Sequence, residues 1–161
     1  MVKEIFQLRI EVCGTEPLVW RCLQVERRMS FFELHHTIQV ALGWHNKRDF
    51  DFCLEGYHIS EDGYHKAYII RPMEITVGDI VAVGDEFSYH YHSHIFHDHK
   101  IVVEKCIRRE YRVVYPYCKA GEYNCFVQSE SDLVPFSRMA VNFQLANLTC
   151  YIIDWIRQQK D

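Results

Sequence analysis

The sequence predicts an α+β fold in which a mixed, mostly antiparallel sheet carries a helix packed on one face. Three observations point to this class: an alternating hairpin opens the chain, a well-bounded helix follows it, and most later segments alternate again. The chain has 161 residues, of which 48% are hydrophobic, so it can bury a substantial core. We therefore expect one domain over residues 1–161, with a β-β-α-β opening like that of a β-grasp fold and a C-terminal helix.

The N-terminal hairpin has the cleanest pattern. In the segment 3–12, apolar residues from Phe6 to Val12 alternate with polar ones, which is typical of a strand buried on one face. A turn containing Gly14 and Pro17 follows, and residues 18–26 are predicted to return as the second strand.

The first helix is predicted over residues 30–42. Ser30 and Glu33 form a capping box at its start, and Gly43 suits the left-handed residue that ends a helix. Its apolar stripe consists of Phe31, Leu34, Ile38, Ala41 and Leu42. His35 and His36 lie in mid-helix, where a solvated or packed role is favoured over metal ligation.

The central part of the chain predicts several short elements. A third strand runs over Phe50–Tyr57, a short strand over 68–70 stops before Pro72, and Thr76 caps a short helix. A hairpin follows Gly84, with its first strand starting at Phe87 and its return strand starting at Ile101. The predicted sheet therefore has this hairpin as its second half.

The last third of the chain is patterned less clearly. Residues 115–122 contain Pro116 and Gly121 and are interpreted as a loop. A final helix is predicted over 138–157. Its apolar stripe consists of Val141, Leu145, Leu148, Ile152 and Trp155.

The candidate site is the hairpin around residues 87–104, which holds five of the ten histidines, namely His90, His92, His94, His97 and His99. Side chains at i and i+2 of a strand share one face about 6.5–7 Å apart, so neighbouring imidazoles can converge on one ion. Neutral imidazole suits a divalent transition metal such as Zn²⁺. The alternatives are a solvated strand face that uses histidine as its polar residue, or a pH-sensing surface.

Cys118 and Cys125 form a second candidate pair, separated by six residues. Compact zinc motifs use gaps of about two to four residues, so two packed thiols are the simpler interpretation. Two thiols with a distant histidine remain a possible metal set. The sequence contains no nucleophile elbow, phosphate-binding loop or dinucleotide fingerprint, so no catalytic residue can be named.

The composition limits the classes of partner. The formal net charge is -4, which argues against a general nucleic-acid binder. No segment has the roughly 20 apolar residues of a membrane helix, and the N-terminus does not resemble a signal peptide. Seven cysteines, an odd number, favour a cytoplasmic protein with reduced thiols.

An ordered set of short motifs covers about three quarters of the chain. It comprises the Pro-x-Val-Trp-Arg motif at 17–21, the Phe-Glu-Leu-His motif at 32–35, the Gly-Trp pair at 43–44, the Gly-Asp-x-Phe-x-Tyr-x-Tyr motif at 84–91, the Ile-Val-Val-Glu motif at 101–104 and the Tyr-Pro-x-Cys-x-Ala-Gly-Glu motif at 115–122. In this order the motifs resemble the plasmid pRiA4b ORF-3-like family, often found beside mobile elements. The family has a recognised domain and no settled biochemical activity, so the resemblance implies a fold and little about function.

The chain departs from the family pattern at its polar positions. The family usually carries Asp-Phe-Gly-Asp-x-Trp-x-His in the hairpin, and here only the last histidine, His99, is retained. The usual His-x-His-x-Phe after the first helix is replaced by residues 48–52, and the acidic Gly-Gly segment after Cys125 is missing. The resemblance therefore extends only to Tyr91, His99 and Cys118 among the polar or thiol positions.

Two functions follow from these observations. The first is an uncharacterised, mobile-element-associated domain that acts as a non-enzymatic binding or interaction module, with a protein partner or self-association. The alternative is a metal-binding protein or metal-dependent hydrolase that uses the histidine-rich hairpin 90–99. The sequence identifies neither a substrate nor an oligomeric state.

Overall fold

In the residues that the structure describes, the fold is built on one mixed eight-stranded sheet. The computed structural model describes residues 3–44, 46–47, 49–61, 69–92, 98–124 and 135–160. The strands are β1 (Ile5–Val12), β2 (Trp20–Glu26), β3 (Phe50–Leu54), β4 (Tyr57–Ser60), β5 (Ile69–Ile70), β6 (Glu86–Tyr91), β7 (Asp98–Ile107) and β8 (Tyr117–Glu122), in the spatial order β5-β4-β3-β6-β7-β1-β2-β8. The β4–β5 pair is parallel, whereas the other neighbours are antiparallel. The predicted fold class is confirmed.

Among the described residues, four α-helices accompany the sheet. They are α1 (Phe31–Leu42), α2 (Val77–Ile80), α3 (Arg138–Leu145) and α4 (Leu148–Gln158), and a 3₁₀ turn spans Pro72–Glu74. The predicted start and end of α1 are confirmed: Ser30 Oγ accepts a hydrogen bond from Glu33 N, and Gly43 is left-handed with φ 72°. Within the described residues, no helix is both long and apolar enough to cross a membrane.

The two faces of the sheet differ in character. Helix α1 packs against the face that carries Phe6, Leu8, Phe52, Tyr89 and Ile101, and we call this the helical face. The opposite face carries the alternate, mainly polar residues, and we call it the polar face. Because β3 and β6 are neighbours, alternation places the polar residues of both strands side by side on the polar face.

Three predicted elements differ from the observed ones. The predicted strand Phe50–Tyr57 is two strands, because the chain reverses at Glu55 and Gly56, where Gly56 adopts φ 78°. Leu54 consequently pairs with Tyr57, and β4 runs back along β3. This reversal adds a strand, with its own polar residues, to the polar face.

Residues 117–122 form an edge strand, β8, and the loop predicted there is wrong. β8 pairs with β2, and Gly121 lies opposite Arg21. A Cβ atom at Gly121 would come within 2.8 Å of the carbonyl oxygen of Trp20, so this glycine permits a close approach between strands. Glycine is also typical of turns, and for that reason the sequence pattern around Gly121 was interpreted as a loop.

The final helix is broken into α3 and α4 at Ala146 and Asn147. The Asn147 side chain donates a hydrogen bond to the Phe143 carbonyl oxygen at 3.0 Å and so takes an acceptor that a continuous helix would use. The predicted apolar stripe nevertheless faces inward. Leu145 and Leu148 are buried, Val141 and Ile152 are partly buried against the core, and the partly buried Trp155 packs beside Phe32.

Candidate metal centre

The Asp51 carboxylate is the centre of a polar cluster on the polar face. Its Oδ1 atom lies 2.6 Å from Nδ1 of His90, 3.6 Å from Sγ of Cys53 and 3.8 Å from Nε2 of His58. Its Oδ2 atom lies 3.1 Å from Nε2 of His92. Strands β3, β4 and β6, together with His92 just after β6, therefore bring five potential ligands together at one point of the sheet.

Strand register explains why these side chains meet. Asp51 and Cys53 are two residues apart on β3, so both point to the polar face. His90 on β6 lies directly opposite Asp51, and His58 on β4 lies directly opposite Cys53. Directly opposed residues of antiparallel strands have Cβ atoms about 4.5–5.5 Å apart. The four side chains thus occupy the corners of a small quadrilateral that spans three adjacent strands.

The distances within the cluster suit a metal ion. The ligand atoms of Asp51, Cys53 and His58 all lie within 4.8 Å of one another, and Cys53 Sγ is 3.9 Å from His90 Nδ1. With Zn–N and Zn–O bonds near 2.0–2.1 Å and Zn–S bonds near 2.3 Å, a tetrahedral site separates its ligands by roughly 3.3–3.6 Å. A shift of less than about 1 Å would bring the closest pair, Asp51 and His90, to that spacing.

The cluster is partly shielded from water and holds its carboxylate ionised. The Asp51 side chain is 14% exposed, whereas those of His90 and His58 are 25% and 34% exposed. Burial alone would raise the pKa of Asp51, but hydrogen bonds from His90 and His92, together with the charges of His90 and His58, hold its pKa below the usual value. An ionised carboxylate is the form that binds a cation.

Further carboxylate oxygen is available at one edge of the cluster. Asp98, the first residue of β7, pairs with His90 across the strands, and its Oδ1 lies 3.7 Å from Nε2 of His90. The two nitrogens of His90 therefore face two different carboxylates. His94 and His97, which were predicted to act with His90 and His92, lie outside the described residues.

His99 lies on the helical face, away from His90 and His92. It pairs with Tyr89, is almost fully buried, and accepts a hydrogen bond from Trp44 Nε1 at 3.3 Å. Its Nδ1 lies 3.2 Å from the Tyr89 carbonyl oxygen. Adjacent residues of a strand point to opposite faces, so His99 and Asp98 cannot contribute to one cluster. The geometry separates His99 from the predicted ligand set.

Tyr91 is also on the helical face and is buried. Its hydroxyl accepts a hydrogen bond from the backbone N–H of Lys47 at 3.1 Å, and its ring lies 6.0 Å from that of Trp44. Tyr91 and His99, which the family pattern retains, thus both contact Trp44 just after α1 and hold this segment against the sheet.

A second polar cluster is enclosed between α1 and the sheet. Tyr89 Oη lies 2.7 Å from His35 Nδ1 and accepts a hydrogen bond from Gln39 Nε2 at 2.8 Å. The Asn46 side chain contacts His35 Nε2 and His36 Nδ1, at 2.7 Å and 2.8 Å. Burial lowers the pKa of His35 well below its usual value and lowers that of His36 to about 4. These histidines are neutral packing residues, as the sequence favoured.

Cys118 is a buried residue of the edge strand β8. The Asn142 side chain of α3 accepts from its backbone N–H and donates to its carbonyl oxygen, at 2.7 Å and 2.8 Å. Burial raises the pKa of the Cys118 thiol to about 11, so it is protonated at neutral pH. Its candidate partner Cys125 lies outside the described residues.

The family model for the plasmid pRiA4b ORF-3-like protein matches residues 4–139. The chain belongs to the plasmid pRiA4b ORF-3-like family. The match includes every strand of the sheet, and it ends at the second residue of α3. Among curated proteins, none matches this member of the family.

A solved structure has the same fold as this pRiA4b ORF-3-like protein. It is the crystal structure of MM3350 from Methanosarcina mazei Go1, described as a protein of unknown function. The TM-score is 0.72 at 20% sequence identity, and the alignment covers 92% of this chain and 83% of that chain. This similarity establishes the fold alone.

The sequence contained part of the signal for the Asp51 cluster. Alternation in 50–54 puts Asp51 and Cys53 on the face opposite Phe50 and Phe52. Alternation along β6 likewise puts His90 on the polar face. The pattern did not reveal that β3 pairs with β6, nor that a separate strand, β4, supplies His58. The β3–β6 pairing depends on long-range register, which local sequence pattern does not encode, whereas β4 arises from the tight reversal at Glu55 and Gly56.

Proposed function

We propose that this protein is a metal-binding domain that holds a divalent transition metal on its polar face, with Asp51, Cys53, His58 and His90 as ligands. The observation that carries the proposal is the convergence of Cys53, His58 and His90 on one carboxylate oxygen of Asp51, at 2.6–3.8 Å. In the metal-bound form, the ion would replace the proton between Asp51 and His90, and the Cys53 thiol would release its proton to solvent and bind as the thiolate.

The chemistry of the donors favours Zn²⁺. Two imidazoles, a thiol and a carboxylate form a mixed nitrogen, sulfur and oxygen set, and a thiolate disfavours Mg²⁺ and Ca²⁺, which prefer oxygen ligands. His92 bonds the second oxygen of Asp51 and would orient the carboxylate, as outer partners of metal ligands commonly do. His94 and His97 remain predicted contributors.

The donor count supports a binding role over hydrolysis. Four protein ligands complete a tetrahedral zinc sphere, whereas catalytic zinc usually keeps one position for water or substrate. The proposed role is therefore a non-enzymatic binding module, and a metal-dependent hydrolase is the alternative. A zinc complex with only three of these four ligands would favour the alternative.

The proposed compartment is the cytoplasm. Six cysteines among the described residues take part in no disulfide. A thiol ligand must be reduced to bind metal, and the cytoplasm keeps thiols reduced. The net charge of -4 supports the further proposal that nucleic acid is not the general partner.

Equilibrium dialysis of tag-free, chelator-treated protein against Zn²⁺ tests the proposal. We expect one zinc per chain, with affinity reduced at least about tenfold in Asp51→Asn and in Cys53→Ser. Matched controls are Asp154→Asn and Cys150→Ser, which remove an exposed carboxylate and an exposed thiol in α4. Substoichiometric zinc in the native chain, or equal binding by Cys53→Ser and Cys150→Ser, would refute the site.

His92→Ala and His99→Ala separate the two faces. Loss of His92 should weaken zinc binding, because it bonds the Asp51 carboxylate, whereas loss of His99 should leave the affinity unchanged in folded protein. Far-ultraviolet circular dichroism confirms that each variant is folded. An equal loss of zinc from both variants would contradict the assignment of His99 to the helical face.

A further inference from the structure

The His90 imidazole lies between two carboxylates, in a row of side chains that crosses three strands of the polar face. His90 on β6 is directly opposite Asp51 on β3 and directly opposite Asp98 on β7. Its Nδ1 lies 2.6 Å from Asp51 Oδ1, and its Nε2 lies 3.7 Å from Asp98 Oδ1. An imidazole with a carboxylate near each nitrogen can bind a metal ion through either one, and the surrounding donors decide which.

The other proposed ligands lie on the Nδ1 side of His90. Cys53 Sγ is 3.9 Å from His90 Nδ1 and 3.6 Å from Asp51 Oδ1. His58 Nε2 is 3.8 Å from the same Asp51 oxygen. Asp98 lies at the other end of the ring, at Nε2. A zinc ion held by Asp51, Cys53 and His58 therefore meets His90 at Nδ1.

Metal binding at Nδ1 fixes the position of the imidazole proton. A neutral imidazole has one N–H group and one lone pair, so a ring that gives its Nδ1 lone pair to zinc carries the proton on Nε2. Histidine ligands commonly donate this remaining N–H to a carboxylate, which holds the ring in orientation and makes the ligand nitrogen more basic. Asp98 places a carboxylate beside that nitrogen.

The backbone of Asp98 is held in the sheet on both sides. Asp98 begins β7 and pairs with His90 of β6, and its carbonyl oxygen accepts a hydrogen bond from Cys13 N at 2.9 Å. Its side chain is 62% exposed, so the carboxylate has room to turn in the solvent. A shift of about 1 Å would shorten the distance to His90 Nε2 to the roughly 2.8 Å of a charge-assisted hydrogen bond.

We propose that Asp98 is a positioning residue of the metal centre, which accepts a hydrogen bond from the Nε2–H group of His90 and so directs the Nδ1 lone pair at the ion. This inference rests on the proposed zinc site. It gives different roles to the two carboxylates that face His90, since Asp51 binds the ion and Asp98 orients the imidazole. Asp98 thus acts on His90 as His92 acts on the Asp51 carboxylate.

Equilibrium dialysis against Zn²⁺ measures the contribution of Asp98 to affinity. Asp98→Ala should raise the zinc dissociation constant about tenfold, and Asp98→Asn should recover most of this loss because its amide oxygen can still accept from Nε2–H. Glu86→Ala is the matched control, because Glu86 is a carboxylate on the same face of β6, is 59% exposed and pairs with Lys100. Affinity loss no greater in Asp98→Ala than in Glu86→Ala, or equal loss in Asp98→Asn and Asp98→Ala, would overturn the proposal.

Long-range ¹H–¹⁵N correlation spectra of the histidine rings test the orientation itself. The zinc-loaded native chain should show His90 bound through Nδ1 with its proton on Nε2, and this proton should exchange faster with water in Asp98→Ala. Zinc bound at Nε2, or an unchanged exchange rate in folded Asp98→Ala, would overturn the role of Asp98 and leave the zinc site standing. A native chain that binds no zinc would refute the site and this inference together.

Discussion

The two faces of the β3–β6 pair carry histidines in opposite environments. On the helical face, His35 and His36 are enclosed with Tyr89, Gln39 and Asn46, and burial keeps both imidazoles neutral. On the polar face, three imidazoles and a thiol surround an ionised carboxylate that water can reach. Histidine content alone does not locate a site. A charged acceptor at the centre, with partial exposure, distinguishes the polar face.

The largest expected loss of stability comes from breaking the hydrogen bonds of Tyr89 with His35 and Gln39 on the helical face. Tyr89→Phe removes the hydroxyl that contacts His35 Nδ1 and Gln39 Nε2, and it leaves two buried nitrogens without this partner. We expect a loss of about 3 kcal/mol in the free energy of unfolding, measured by urea titration. Tyr111→Phe is the control, since Tyr111 is 90% exposed. A loss equal to that of the control would show that the network contributes little to stability.

The second largest expected effect is a loss of folding stability in acid, which arises from His36 on the helical face. The folded-state pKa of His36 is about 4, below its usual value near 6.5, so the unfolded chain binds protons more readily. Stability should therefore fall as the pH falls from about 6.5 toward 4, with His36 accounting for about 2 kcal/mol between pH 7.5 and pH 5. His36 faces Phe32, Tyr151, Trp155, His35 and Asn46, none of which carries a compensating negative charge at these pH values.

The variant His36→Gln isolates this contribution. Urea titrations at both pH values should give a smaller pH dependence for His36→Gln than for the native chain. His35 is lowered in pKa as well, so some dependence should persist in the variant. Equal pH dependence in the two proteins would mean that His36 does not enter the folded core as a neutral group.

A smaller effect tests whether the faces are independent. Ser30→Ala removes the hydroxyl that accepts from Glu33 N at the start of α1, and it should cost about 1 kcal/mol in stability. Because α1 packs against the helical face and the Asp51 cluster lies on the polar face, zinc affinity measured by dialysis should not change. A parallel loss of zinc affinity would show that the two faces are coupled.

The smallest effect concerns the metal-free polar face. His58 is 34% exposed and lies 3.8 Å from Asp51, so His58→Ala should change the stability of metal-free protein by no more than about 0.5 kcal/mol. With zinc added, the same variant should lose most of the metal-dependent rise in melting temperature. A metal-free loss as large as that of Tyr89→Phe would mean that His58 is structural.

Local sequence pattern predicted the parts of the fold that depend on neighbouring residues. The alternation of β1, the caps of α1 and the α+β class follow from positions within a few residues of one another. The strand β8 depends on pairing with the distant strand β2, the break before α4 depends on one side chain, and the split of β3 and β4 depends on a reversal at Glu55 and Gly56 within a continuous alternating pattern. The pattern could not reveal these competing interactions.

The candidate site was predicted in part for the same reason. His90 and His92 were named from their own strand, and both contact Asp51. Asp51 and Cys53 belong to β3, whose pairing with β6 joins residues such as Asp51 and His90 that are 39 positions apart in the chain, and His58 joins the cluster through the pairing of β4 with β3. His99 was grouped with His90 because the sequence could not fix which residues of the return strand share a face.

X-ray absorption spectroscopy of the zinc-loaded chain tests the central claim most directly. We predict one sulfur ligand near 2.3 Å and three nitrogen or oxygen ligands near 2.0–2.1 Å, with the sulfur signal absent in Cys53→Ser and retained in Cys150→Ser. A native spectrum with only nitrogen and oxygen ligands, or a sulfur signal that survives Cys53→Ser, would contradict the Asp51-centred site.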